Sequence, residues 1–210
     1  MKLYFFPVAP NPTKVRLYLA EKKLAGHEIE IEQVLVDLRE GQQKSSEHLA
    51  RNPFGKLPVL EVENGVFLTE SLPIIHYLEG LHPEPTMVGS TPLERAQTLQ
   101  WERIAETGVL TAMARVVHAT KSPLGLPPNP GVEEAFREVI PGACQVLDER
   151  LSDGRPFLMG DRVTMADCTL AAGLQFGRMG GLDAPEEHEH LRRWNAAYRE
   201  RAPAKEVLVL

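Results

Sequence analysis

From the amino terminus, KLYFF is a run of strand-forming residues that Pro7 stops. Asn11-Pro12 then opens a helix, since asparagine is a good N-cap and proline at the first helical position loses no useful N–H. TKVRLYLAEKKL has helical periodicity, with Val15, Tyr18 and Leu19 on one side and Gly26 just past its end. HEIEIEQVLV alternates charge with isoleucine and predicts a half-buried strand. SSEHLAR predicts a short helix, LPVLEV and GVFLT a hairpin around Glu63-Asn64-Gly65, and SLPIIHYLEGL a further helix. The first half therefore reads βαβαββα around a mixed sheet, over residues 1–81.

The proline- and glycine-rich stretch HPEPTMVGST (82–91) predicts a linker, and the second unit runs from 92 to 210. No convincing strand follows it. Helices are expected at about 92–119, 132–151, 165–179 and 188–200, separated by the loops KSPLGLPPNPG and SDGRPFLMGDR. Thr164-Met-Ala-Asp167 has the form of a capping box with aspartate in place of the usual glutamate, a structural feature at the start of an apolar helix.

Composition narrows the function classes. The 210 residues are 43% hydrophobic and 25% charged, ordinary for a globular protein, with a net charge of −6. Nucleic acid and anionic membranes are not expected partners, because either leaves a clustered basic footprint. The start MKLYFFPVAPNP is too proline-rich for a signal peptide, and no apolar run approaches the roughly 18 residues of a membrane span. Cys144 and Cys168 have no metal-type spacing, so no metal is expected and a reduced, cytoplasmic setting is the default.

The stretch NPFGKLPVLEVENGVFLTES (52–71) carries the candidate chemistry. A cis Leu57-Pro58 bond at a strand entry would expose the N–H and C=O of Leu57, where an extended peptide can pair as an extra short strand. The same dipeptide also fits a plain strand-entry turn. Ser71 stands where the N-cap of the next helix belongs, the free N–H groups and dipole of that helix attract a carboxylate, and Glu70 before it attracts an ammonium. Together they match the zwitterionic head of an amino acid; alternatively Ser71 only caps and Glu70 only favours the dipole.

KSSEHLARNPFGKLPVL (44–60) and LTESLPIIHYL (68–78) are similar to the cytosolic glutathione transferases, the plant-type members in particular. The likeness covers residues 1 to 82 and, more loosely, the helical half, where Val163-Thr-Met-Ala-Asp167 matches that family's capping motif. The resemblance implies a thioredoxin-like α/β domain followed by an all-α domain that contributes an electrophile pocket. It makes glutathione the co-substrate, with its cysteinyl unit on the backbone of Leu57 before Pro58 and its γ-glutamyl head at Glu70 and Ser71. It places Lys44, with Gln43 beside it, and Lys56 toward the glycine carboxylate; each lysine also fits a solvated surface. It further implies a homodimer.

A thiolate is the nucleophile, and a thiol near pKa 8.5 must be helped to ionise. The first helix start, Ala9-Pro10-Asn11-Pro12, has no cysteine where thioredoxins carry theirs, so sulfur must come from a ligand. The chain departs from the family here: Ala9 and Pro10 replace the serine or cysteine, and Phe5 the tyrosine, that family members use on the thiol. Tyr4 points to the opposite face from Phe5 by strand alternation. Asn11 resembles the asparagine of bacterial members with a TPN-type turn, and its amide would donate to the thiolate; Thr13 is a weaker choice. Asn11 is equally well explained as an N-cap alone. The acceptor pocket is expected against the helix bearing Leu110, Met113, Ala114, Val117 and His118, although those spacings also suit a core, as do Trp101 and Trp194. The expected activity is conjugation of glutathione to a small hydrophobic electrophile that the sequence does not specify. Glutathione-dependent reduction of a disulfide or peroxide, and a non-catalytic binding module, are the alternatives.

Overall fold

The structure, a computed structural model, describes residues 1–184 and 187–209. Strands β1 (Lys2–Phe5), β2 (Glu32–Leu35), β3 (Val59–Glu63) and β4 (Val66–Thr69) pair in the order β2-β1-β3-β4. β1 is parallel to β2 and antiparallel to β3, and β3 turns back into antiparallel β4. Helices α1 (Pro10–Leu24), α2 (Ser46–Arg51) and α3 (Ser71–Leu81) complete a βαβαββα order on a mixed sheet.

β2 is shorter than its alternation predicts. The ladder opens at Lys2 opposite Glu32, with the Glu32 N–H donating to the Met1 carbonyl at 3.2 Å, so residues 27–31 have no neighbouring strand to pair with. Ile29 is nevertheless 8% exposed. The alternating pattern reported burial there, not a ladder.

The second half contains α4 (Pro92–Ala105), α5 (Thr111–Thr120), α6 (Pro130–Arg137), α7 (Val139–Arg150), α8 (Met165–Met179), α9 (Glu189–Arg199) and α10 (Ala202–Val207). Two predicted helices are each divided. A π-helical turn, Glu106–Leu110, separates α4 from α5, and Glu138 separates α6 from α7. α10 was not predicted, because Pro203 in its first turn masks a six-residue helix whose support comes from α1. Among the described residues no helix is long and apolar enough to cross a membrane.

α1 is the central element. It packs on α3, α8 and α10, and its buried face includes Lys14, Glu21 and Lys22 as well as Val15, Leu17 and Tyr18. Each buried charge has a partner, as burial demands. Lys22 lies 3.0 Å from Glu79 and donates to the carbonyls of His82 and Pro85, fastening the 82–91 connector to the sheet domain. Glu21 accepts two bonds from Arg201 beside α10. On the other side of the connector, the Met165 N–H donates to the Met87 carbonyl at 3.0 Å. At the start of α8 the Asp167 carboxylate accepts from the Thr164 N–H and hydroxyl and from the Leu158 N–H, all at 2.9 Å. That residue is structural.

Candidate active site

The turn from Asn52 to Pro58 is built by one asparagine. Asn52 Oδ1 accepts from the Phe54 N–H at 3.1 Å, and its Nδ2 donates to the Lys56 carbonyl at 3.0 Å. His48 Nε2 lies 3.2 Å from the same carbonyl. Gly55 has φ +59, and a Cβ there would stand 2.9 Å from the Gln43 carbonyl, so only glycine fits. This scaffold delivers a cis Leu57-Pro58 bond at the entry to β3. The N–H and C=O of Leu57 make no hydrogen bond with the described residues, so a peptide-pairing edge is left open.

Glu70 and Ser71 stand where β4 meets α3. Glu70 is the N-cap, exposed, and forms no side-chain hydrogen bond within the described residues. Its φ is 68°, the one positive φ of a non-glycine residue among those described. Such strain persists where the surrounding structure enforces it, and it is concentrated at functional sites. The N–H groups of Ser71 and Leu72 at the helix start have no intrahelical acceptors. A carboxylate that is free, a helix start that is free, and an open strand edge therefore lie along one stretch of chain.

Asn11 does not cap α1. Ala9 is the N-cap, with Pro10 and Asn11 as the first two helical residues, because Thr13 N–H donates to the Ala9 carbonyl at 3.0 Å. With prolines at 10 and 12, the only N–H among the first three helical residues is that of Asn11. Its side-chain Oδ1 accepts from the Ser71 hydroxyl at 2.9 Å, which leaves Nδ2 to donate elsewhere. Asn11 thus concentrates the free donors of this helix start and touches the α3 start as well. The Thr13 hydroxyl is already spent on the carbonyls of Pro7 and Ala9. Tyr4 is also committed, donating to Glu61 at 2.8 Å.

Gln43 is buried in a 3₁₀ turn with its Oε1 unpartnered, whereas Lys44 and Lys56 are exposed. Leu110, Met113 and Val117 belong to the core, and Trp194 stacks on Tyr198 there.

A cavity of about 200 Å³ opens beside Ala9 and Pro10. Phe6, Leu38, Leu124, Phe176 and Met179 give it an apolar lining, and His118 of α5 faces the same space. His118 Nδ1 is 3.0 Å from the Ser122 hydroxyl, and its ring lies 5.6 Å from that of Phe176. Burial, and secondarily Arg115, hold the imidazole below its ordinary pKa, so it is neutral at pH 7. In the tautomer whose Nδ1–H donates to Ser122, Nε2 carries the lone pair of a base. The sequence placed His118 against the acceptor pocket without evidence for a base. The His118/Ser122 spacing of four residues was its only trace, and helix packing decided the rest.

Two domain models match: the glutathione S-transferase N-terminal domain over residues 3–86 and the C-terminal domain over residues 113–202. Glutathione S-transferase 2 of Saccharomyces cerevisiae is 33% identical, covering 99% of this chain and 89% of that protein. Glutathione S-transferase F10 of Arabidopsis thaliana is 30% identical over 97% of this chain and 94% of its own length. The crystal structure of Gtt2 from Saccharomyces cerevisiae superposes with a TM-score of 0.89 at 33% identity, covering 99% of this chain and all of that one. With both domain models matched in order and relatives similar along the whole length, the chain belongs to the glutathione S-transferase family.

Proposed function

We propose that this glutathione S-transferase holds glutathione along residues 52–71 and presents its sulfur at the start of α1, beside the cavity. The free N–H and C=O of Leu57 pair with the cysteinyl unit. Glu70 takes the ammonium of the γ-glutamyl head, and the backbone N–H groups of Ser71 and Leu72 at the α3 start take its carboxylate. Lys44 and Lys56, with Gln43 nearby, serve the glycine carboxylate. The observation that carries the reading is the convergence on Asn11: the one free N–H of the α1 start, a carboxamide oriented by Ser71, and a cavity next door.

In this arrangement Asn11 donates to the thiolate and Nε2 of His118 receives the thiol proton. The sulfur then attacks an electrophilic carbon in the cavity, forming the C–S bond as the leaving group departs or the acceptor double bond opens. Roughly 150 Å³ suffices for a benzene-sized molecule, so the cavity suits a small apolar or aromatic electrophile. A homodimer is part of this reading, with the exposed Phe54 (79%) and Leu93 (67%) as its candidate contacts.

Turnover of glutathione with a panel of aryl halides, unsaturated carbonyls, disulfides and peroxides tests this function. Conjugation of the carbon electrophiles is the expected dominant activity. Turnover confined to disulfides or peroxides, or none at all, would overturn it.

No protein thiol takes part. Cys144 and Cys168 are buried, and burial pushes the Cys144 thiol up to about 11 and that of Cys168 well above its ordinary value. The Cys144→Ser/Cys168→Ser chain is expected to keep its rate per folded molecule within about twofold, because a buried, protonated thiol is inert. Loss of turnover at unchanged stability would contradict this.

A further inference from the structure

One turn after Asn11, α1 carries a lysine that is only 1% exposed. Lys14 Nζ donates to Glu102 Oε1 at 2.6 Å and to Glu106 Oε2 at 2.9 Å. Glu102, on α4, is fully buried and also accepts from the Thr169 hydroxyl of α8 at 3.3 Å. Glu106 begins the π-helical turn, and its other oxygen accepts from the Thr111 hydroxyl at the first residue of α5. A single ammonium therefore joins α1, α4 and the head of α5, with α8 attached through Thr169.

These elements carry the reacting groups: Ala9 and Asn11 with α1, His118 on α5, and Phe176 and Met179 on α8. Stability does not account for the cluster. Two carboxylates share one buried ammonium, Glu102 Oε2 is buried without a hydrogen bond and has only the Arg103 guanidinium 3.7 Å away, and an apolar trio of similar volume would hold the helices together as well. What charge-assisted bonds add is direction. They fix one register and one separation where apolar contacts can slide. The π turn at the same point adds a residue to the α4–α5 path, a distortion that recurs at functional sites.

We propose that Lys14 is a positioning residue: its bonds to Glu102 and Glu106 set the start of α1, where the sulfur sits, against the helix that brings His118. The inference rests on the roles given above to Asn11 and His118. Glutathione contacts at Leu57, Glu70 and Ser71 lie outside the cluster, so binding and chemistry should separate.

Lys14→Met is compared with wild type by glutathione calorimetry, turnover per occupied site, and the pH profile. The expected result is about one glutathione site per chain, affinity within about twofold, and turnover per site lowered at least tenfold, since small misplacements of reacting groups are costly. The acid limb set by His118 should move upward toward the limb of an unassisted thiol. A purely structural lysine would reduce the number of sites or the melting temperature and leave rate per occupied site and limb unchanged; that outcome overturns the proposal. Should Lys14→Met not fold, Glu106→Gln keeps the Lys14–Glu102 bond and is judged on the same per-site rate and limb. His118→Gln separates the two readings. If it loses the limb while the Lys14 and Glu106 variants do not, the positioning role alone fails. If it keeps the limb, the role of His118 fails first.

Discussion

Glutathione is expected to bind the Glu70→Ala chain ten to about a hundred times more weakly than wild type, with the fold intact. A hydrogen bond to a charged group contributes about 1.5–3 kcal/mol, and each 1.4 kcal/mol is tenfold in affinity. No compensating loss of stability follows, because the Glu70 side chain is exposed and bonds to nothing else among the described residues. Its backbone makes a sharper test available. At φ 68° a glutamate is strained and a glycine is not. Glu70→Gly should therefore match or exceed wild-type stability, by about 1 kcal/mol, while losing the same affinity. A carboxylate kept at a conformational cost is being kept for its charge. Unchanged affinity by calorimetry in both variants would remove Glu70 from the site.

His118→Gln should lower turnover at pH 7, by less than about thirtyfold. An unassisted thiol of pKa about 8.5 is about 3% ionised at that pH, which sets the ceiling, and Asn11 still supports the thiolate in this variant. The deficit should shrink as pH rises and close near pH 9.5, where hydroxide ionises the thiol unaided. The wild-type dependence has the opposite origin. Burial lowers the imidazole pKa, so the neutral base persists at pH 7 and is lost only as pH falls through a value below 6.5. A variant with full activity at pH 7, or a deficit that persists at high pH, would exclude His118 as the proton acceptor.

Much of the sheet domain was legible because its signals are local. The Leu-Pro turn and the Asn64-Gly65 hairpin each follow from the conformational preferences of a few adjacent residues, whereas the cap of α3 falls one residue earlier than expected, at Glu70 and not Ser71. The start of α1 was misread for an instructive reason. Pro10 and Pro12 both fit a first helical turn, where N–H groups have no acceptor, and only the bond from Thr13 to the Ala9 carbonyl decides between them. The correction changes the chemistry, since it frees Asn11 from a capping role. The parts that stayed hidden depend on distant residues. Lys14 meets Glu102 and Glu106 some ninety positions later, as the 88- and 92-residue separations require, and the π turn beside them has no local sequence signal. His118 reads as one more residue of an apolar helix until α5 packs beside Ala9.

Asn11 is the residue on which the bound thiolate depends. Thiolate absorbance, titrated with saturating glutathione in wild type and Asn11→Ala, measures its role directly. The expected result is a bound thiol whose pKa rises by about one to two units in the variant, since a bond to a charged group is worth about 1.5–3 kcal/mol and one unit about 1.4 kcal/mol. Because Ala9 caps the helix, the variant should lose little stability beyond its bond to Ser71, about 1 kcal/mol. An unshifted titration in a folded, glutathione-saturated Asn11→Ala chain would contradict the account.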